Sequence, residues 1–336
     1  MEAPKQYTIA NHFLTVLAQQ AIKQGLDLHQ LLRDAGIAEE LINQPHARIA
    51  TNQLSRLIQV IWHELQDEHM GFLPHQAQIG TFHMMGRLAV HRPNLGKALQ
   101  MAIRFYDMVV EDYRLNLTIG EHDCSFSIEV VNPEQNVEHI ISEFCLGTWH
   151  RFACWLIGKE IVLNQAHFTY PPPPHVDEYK FIFPCSHEFS SGSNRLCFSR
   201  DYLQHPIVQN EDSLKEFIRQ SPGNLLLSPR DDTSFTTRIR LLIEPYLEQG
   251  FPDFDRVATE MHTSNQTLRR KLKTEGTSYQ QINDLVRRDH AIYHLTQQSL
   301  SVAEISRLVG FTEPGAFIRA FKGWTGVTPG DYRNMP

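Results

Sequence analysis

The chain has 336 residues, 41% hydrophobic and 21% charged, a balance that suits two ordinary globular domains and excludes a disordered or fibrous chain. Its net charge of −7 argues against non-specific coating of nucleic acid. The charge is uneven, however: residues 256–336 hold 11 Lys and Arg against 7 Asp and Glu, leaving 20 against 31 for residues 1–255.

From Tyr7 to about Val110 apolar residues recur at helical spacing, as in Leu54, Leu57, Ile58, Ile61 and Trp62, with interruptions at Gly71, Pro74, Gly80 and Pro93. Several short to medium helices are predicted there. Tyr113 to Ile119 alternates with period two, residues 120–123 can turn, and Cys124 to Val131 alternates again through Phe126, Ile128 and Val130, which predicts a hairpin. A helix is predicted over Asn136 to Lys159, then strands at Ile161–Tyr170, Tyr179–Phe183 and Asn194–Phe198. Pro171–Pro174 forbids helix and reads as a rigid extended connector. Residues 222–234, rich in turn formers, read as a linker, and a new helical pattern starts at Phe235.

The five cysteines are widely spaced with no C-x-x-C pair, and read as reduced core residues. The 18 histidines include no H-E-x-x-H, and His139, Glu143 and His150, which could share a helix face, read as ordinary residues before a metal site. No metal, cofactor or catalytic residue is expected, because neither a nucleophile elbow nor a phosphate-cradling loop stands out. No stretch approaches about 18 uncharged apolar residues, and the start of the chain is not signal-like. A cytoplasmic protein with no membrane partner is expected.

Two segments in the last hundred residues imitate each other. In the strings, Val257-Ala258 matches Val302-Ala303 at an offset of 45, and Leu268, Arg270, Leu272 and Lys273 match Phe317, Arg319, Phe321 and Lys322 at an offset of 49. Each segment reads as a short amphipathic helix, a tight turn and a second helix with Arg and Lys opposite its apolar residues, which is a helix-turn-helix. In the first, Ser264 is a good N-cap, and the helix it opens should expose Asn265, Gln266, Arg269 and Arg270 while Leu268 and Leu272 face inward. Amide and guanidinium groups suit adenine and guanine edges in the major groove. In the second, Thr312 or Glu313 caps a helix with Pro314 at an early position, and Arg319 should point as Arg270 does. Thr277 to Gln297 reads as one linking helix, a strut of roughly 30 Å, close to the ~34–36 Å between successive sites on one face of a duplex.

The string Ala303-Glu-Ile305, Val309-Gly-Phe311, Phe317, Arg319-Ala-Phe-Lys322 and Gly326-Val-Thr-Pro-Gly-Asp-Tyr-Arg333 resembles the DNA-binding domain of the AraC/XylS family of bacterial regulators. The rest, through Leu32-Arg-Asp-Ala-Gly-Ile37, Arg48-Ile49, Met70-Gly-Phe72, Gly86, Leu95-Gly-Lys-Ala-Leu99, His175 and Asn194-Arg-Leu-Cys-Phe198, is similar to the sensor domain of the family's ornithine-utilisation and VirS-like branch. The resemblance implies an α+β N-terminal sensor domain over 1–221, a linker over 222–234, and an all-α C-terminal domain over 235–336 with two helix-turn-helix units joined by a linking helix. It implies a regulator that binds double-stranded promoter DNA and contacts RNA polymerase, tuned by homodimerisation or a small-molecule effector. The expected DNA-binding residues are Asn265, Gln266, Arg269, Arg270, Lys273, Glu313, Ala316, Arg319 and Lys322. Pro314, Gly315 and Ala316 offer few hydrogen bonds where many family members carry polar groups, and Ile318 stands where a small polar residue is frequent.

Overall fold

The computed structural model describes residues 8–43, 47–132, 134, 137–226, 235–275, 277–296, 300–325 and 327–333. The first part of the chain runs β1 (Thr8–Ala10), α1 (Asn11–Lys23), α2 (Leu28–Ala35), β2 (Arg48–Ala50), α3 (Thr51–Leu65), α4 (Thr81–Ala89) and α5 (Leu95–Val109). It continues with β3 (Tyr113–Ile119), β4 (Asp123–Val130), α6 (Ile140–Ile157), β5 (Leu163–His167), α7 (Tyr179–Ile182), β6 (Ser186–Glu188), β7 (Asn194–Ser199), α8 (Glu211–Arg219) and α9 (Gly223–Leu226). The last part is helical: α10 (Phe235–Ile243), α11 (Phe254–Glu260), α12 (Asn265–Thr274), α13 (Tyr279–Thr296), α14 (Val302–Leu308), α15 (Pro314–Thr325) and α16 (Pro329–Arg333).

By their contacts the described residues form two compact units, one within 16–31 and 55–232, the other within 1–15, 32–54 and 233–336. The α+β unit is built on a sheet of order β3-β4-β7-β5-β6, antiparallel except for the β5–β6 pair. The predicted hairpin is there, with Tyr113 opposite Val130 and Ile119 opposite Cys124. Its alternation places Cys124, Phe126, Ile128 and Val130 in the core. Against this face lies α6, apolar nearly all round, as a helix enclosed on every side should be. Ring contacts continue the packing: Trp149 lies 5.3 Å from Phe126 and 5.4 Å from Tyr106.

The predicted strand at Tyr179–Phe183 is instead a single helical turn, α7. Tyr179 and Phe183 are the buried pair there, and their spacing of four is helical rather than alternating, with the Phe183 N–H donating to the Tyr179 carbonyl at 2.6 Å. The three-residue β6 was missed because so short a segment carries no readable period. Within the predicted linker, residues 223–226 form α9, while 227–234 lie outside the described residues.

Glu143 and His150 on α6 and His139 just before it are otherwise engaged. The buried Glu143 carboxylate takes His175 Nε2 at 3.0 Å and the Tyr179 hydroxyl, His150 Nε2 lies 2.8 Å from the Ile161 carbonyl, and His139 stacks on Tyr170 at 3.7 Å. Among the described residues no group of three or more His, Cys, Asp or Glu is placed to hold a metal ion. Cys124, Cys145 and Cys154 are buried thiols, and Cys185 and Cys197 are half-buried.

Residues 1–15 and 32–54, which the sequence groups with the sensor part, cluster instead with the helical module. The link is polar and mostly buried. β1 pairs antiparallel with β2, Thr8 opposite Ala50, and the Arg48 side chain reaches back to the Thr8 hydroxyl at 2.9 Å and carbonyl at 3.0 Å. The Thr8 hydroxyl donates to Asp289 on α13 at 2.5 Å, and the Tyr332 hydroxyl on α16 donates to the Arg48 carbonyl. Asp289, 1% exposed, also pairs with Arg240 at 2.7 Å and Arg288 at 3.3 Å. Burial pushes its carboxyl pKa up, but the guanidinium groups of Arg240, Arg288 and Arg48 and the Thr8 hydroxyl outweigh that and hold it below the usual range.

Candidate nucleic-acid interface

Two copies of one small architecture lie on α13. The first is α11–α12 and the second α14–α15. Asp253 caps α11 by accepting from the Arg256 N–H, and Ser301 caps α14 by accepting from the Glu304 N–H, with Glu304 returning the bond to complete a capping box. Val257, Ala258 and Met261 are buried in the first copy; Ile305, Ser306 and Val309, each 48 residues further on, are buried in the second.

The structural register therefore corrects the string match of Val257-Ala258 to Val302-Ala303. Val302 is half-buried and Ala303 exposed, so they are not the counterparts of two core residues. The offset of 45 is one helical turn short, and a shift of three residues keeps nearly the same face, which is why the strings deceived.

The turns also agree at an offset of 48. The Thr263 N–H donates to the Ala258 carbonyl and the Phe311 N–H to the Ser306 carbonyl, the long bond that closes a helix end through a left-handed residue. That residue is Gly310 (φ +78°) in the second copy and His262 (φ +51°) in the first. Glycine takes this conformation freely, whereas a side chain there costs about 1–2 kcal/mol. His262→Gly should therefore raise the stability of the first unit by about 1 kcal/mol, read as higher resistance to denaturant; unchanged or lower stability would show that the imidazole compensates elsewhere. At Gly310 an added Cβ would also come 2.5 Å from the Leu247 carbonyl oxygen, so glycine is needed for space as well.

After the turn the second copy has one more residue, and the offset becomes 49. Ser264 caps α12 by accepting from the Thr267 N–H, as expected. Leu268 and Leu272 are buried at 0% and 2%, and their counterparts Phe317 and Phe321 at 0% each. Opposite this core, α12 exposes Gln266, Arg269, Arg270 and Lys273, and α15 exposes Gly315, Ile318, Arg319 and Lys322. Glu313 is exposed just before α15, and Ala316 is half-buried.

Asn265 and Arg269, both expected contact residues, have intramolecular engagements. Asn265 is only half exposed, and its amide donates to Asp255 on α11. The Arg269 guanidinium lies over the Phe254 ring, 5.3 Å from its centroid, which holds it against the start of α11.

The linking helix joins the copies physically. Its 18 residues make a rod of about 27 Å. Ile282, Val286, Ala291, Ile292 and Leu295 are all buried, and Tyr279 packs on Phe254 at 5.6 Å. Arg287 lies 4.8 Å from the Phe251 ring ahead of α11 and 5.1 Å from the Phe311 ring in the second turn, so one side chain touches both copies. Its role was not visible in the sequence, where it reads as one more solvated cation. At the other end of α12, Glu275 accepts from the Phe235 and Thr236 N–H groups at 2.8 and 2.9 Å and so caps α10.

The α+β unit carries a separate groove of about 840 Å³ lined by Gln20, Lys23, Gln24, Phe72, His75 and Glu134, among others. Asp67 lies beneath it, accepting from the N–H groups of His69, Gly71 and Ala77 and so fixing the loop that forms one wall. His75 binds Asp112 at 3.0 Å, and that hydrogen bond raises the imidazole pKa.

Residues 25–207 match the model of the arabinose-binding domain of AraC transcription regulators, and residues 257–335 match a helix-turn-helix domain. The chain is 29% identical over 345 aligned positions to an ornithine utilization regulator of Pseudomonas aeruginosa, covering 100% of both chains. It is 35% identical over 179 residues to the transcriptional regulator VqsM of the same species, covering 53% of this chain and 50% of that one. Over 103 residues it is 30% identical to the virulence regulon transcriptional activator VirF of Shigella flexneri, covering 31% and 39% of the two chains. Among the described residues no helix is long and apolar enough to cross a membrane. The α+β part followed by a double helix-turn-helix thus belongs to the AraC family, and the chain is a DNA-binding transcription regulator rather than an enzyme.

Proposed function

We propose that α12 and α15 enter successive major grooves on one face of promoter DNA, held at that spacing by α13. Support comes chiefly from Arg270 and Arg319, which occupy equivalent exposed positions one residue past the start of the second turn of each helix. Gln266, Arg269 and Arg270 are the base readers of the first helix, their paired donors and acceptors suiting adenine and guanine. Asn265 and Lys273, at its two ends, meet the sugar-phosphate backbone. On the second helix Arg319 reads a base and Lys322 a phosphate, with Glu313 and Ala316 near the groove floor. Residues 235–336 act as the DNA-binding domain and 1–221 as the sensor, which lends its segments 8–15 and 32–54 to the packing of the helical module, with 222–234 between them.

The same reading includes a homodimer on paired sites, contact with RNA polymerase at the promoter, and action in the cytoplasm on the nucleoid. A small polar effector suits the groove beside His75, where amide, imidazole, ammonium and carboxylate groups converge. Selection of bound sequences from random duplex DNA by the full-length protein at near-physiological salt tests the proposal. A bipartite motif with one-turn spacing supports it; low-salt binding without enrichment would leave only a non-specific DNA binder. On the selected site, Arg270→Ala should weaken binding by ~1–3 kcal/mol, and unchanged affinity would remove Arg270 from the reading face.

A further inference from the structure

The two reading faces differ in one chemical respect. At the offset of 49, Gln266, Arg269, Arg270 and Lys273 on α12 correspond to Gly315, Ile318, Arg319 and Lys322 on α15. The cationic pair Arg270/Arg319 and Lys273/Lys322 is kept, while an amide becomes hydrogen and a guanidinium becomes a branched aliphatic chain. Ile318 is 37% exposed, and among the described residues 235–333 no other large apolar side chain is so exposed. It lies outside the inner face of α15, which is formed by Phe317, Phe321 and Thr325, all fully buried.

Gly315 lies one turn before Ile318 and Arg319. A Cβ at 315 would touch the Arg319 guanidinium, with Nη1 at 3.7 Å, so that guanidinium lies along the helix surface over the glycine. The outer face of α15 is thus an aliphatic side chain framed by Arg319 and Lys322 and approached across a glycine. Two cations fit a polyanion and disfavour an apolar protein partner. What an aliphatic group can meet between the phosphates is narrow: of the groups that base pairs show in the major groove, the C5 methyl of thymine is the apolar one.

We propose that Ile318 is a specificity-determining residue of the second reading helix, selecting thymine through its methyl group. This rests on α15 entering the major groove, and it deepens that reading by naming a base that hydrogen bonding from this helix does not select. Uracil has the same hydrogen-bonding edges as thymine without the methyl, so exchanging one for the other isolates the contact.

The test uses full-length protein and its selected operator, with each thymine replaced singly by deoxyuridine. Wild type should lose about three- to fivefold in affinity at one or two positions in the half of the site assigned to α15, and Ile318→Ala should bind the thymine and uracil forms equally. Alanine at an exposed helical position favours the helix, so the variant keeps the fold. Specific operator binding with no methyl-dependent position in that half, or the same uracil penalty in wild type and Ile318→Ala, overturns the role of Ile318 and leaves the two-groove reading standing. Loss of transcription in Ile318→Ala with thymine discrimination intact would assign the side chain to a protein partner and likewise overturn it. Binding without any sequence preference would overturn both.

Discussion

Asp289→Ala should destabilise the helical module by about 3–5 kcal/mol, since breaking a buried ion pair from one side leaves uncompensated charge. The carboxylate is 1% exposed, accepts from Thr8, and faces Arg240, Arg288 and Arg48. Removing it leaves three guanidinium groups around a void between β1, β2, α10 and α13. Amide hydrogen exchange along α13 is the direct readout, because it isolates this module from the α+β unit; wild-type protection in the variant would refute the assignment. The pH dependence follows from the direction of the shift. The folded carboxyl ionises below its ordinary range, so the anion favours the fold at all higher pH, and that contribution fades as acid titrates through the folded pKa. Asp289→Asn should accordingly be less stable than wild type at neutral pH, with the gap narrowing below about pH 4.

Phe317→Ala should cost about 3–5 kcal/mol, the usual penalty for emptying a buried aromatic site. Phe317 is fully buried, with ring centroids 5.7 Å from both Phe311 and Phe321. Phe321 in turn meets Tyr332 edge-on at 5.5 Å, so the loss propagates to α16. Because α12 packs on α11 and buries Leu268 and Leu272 without these rings, the first unit should survive. The expected result is fast exchange of α15 amides and a footprint on operator DNA shortened to one half. A full-length footprint would mean that α15 keeps its place without its central side chain, or that it does not touch DNA.

Much of the DNA-binding module was legible because its signals are local. Ser264 caps the helix that the sequence opens with it, and Leu268 and Leu272 are inward as their spacing demands. The linking helix spans Tyr279–Thr296 within the predicted 277–297, and the hairpin at 113–130 follows its alternation. Helical period, caps and alternation are written into neighbouring residues, and burial of one face then stabilises what they favour.

Other features were decided only by tertiary packing. The correct register between the repeated units comes from which residues are buried, Val257 with Ile305 and Ala258 with Ser306, whereas a string match one turn away presents nearly the same face. Tyr179 and Phe183 form a helical turn because both fill the core beside Phe168, and five residues hold too few periods to choose between helix and strand. Arg287 between the two units, and Thr8 and Arg48 at Asp289, join segments up to 281 residues apart. The sequence by itself determined the long helices, the hairpin, the repeated module and its basic outer face, all properties of stretches with a readable period. The tertiary structure alone decided which buried charge meets which, because pairing across such separations depends on where the packed core brings side chains together and leaves no local pattern.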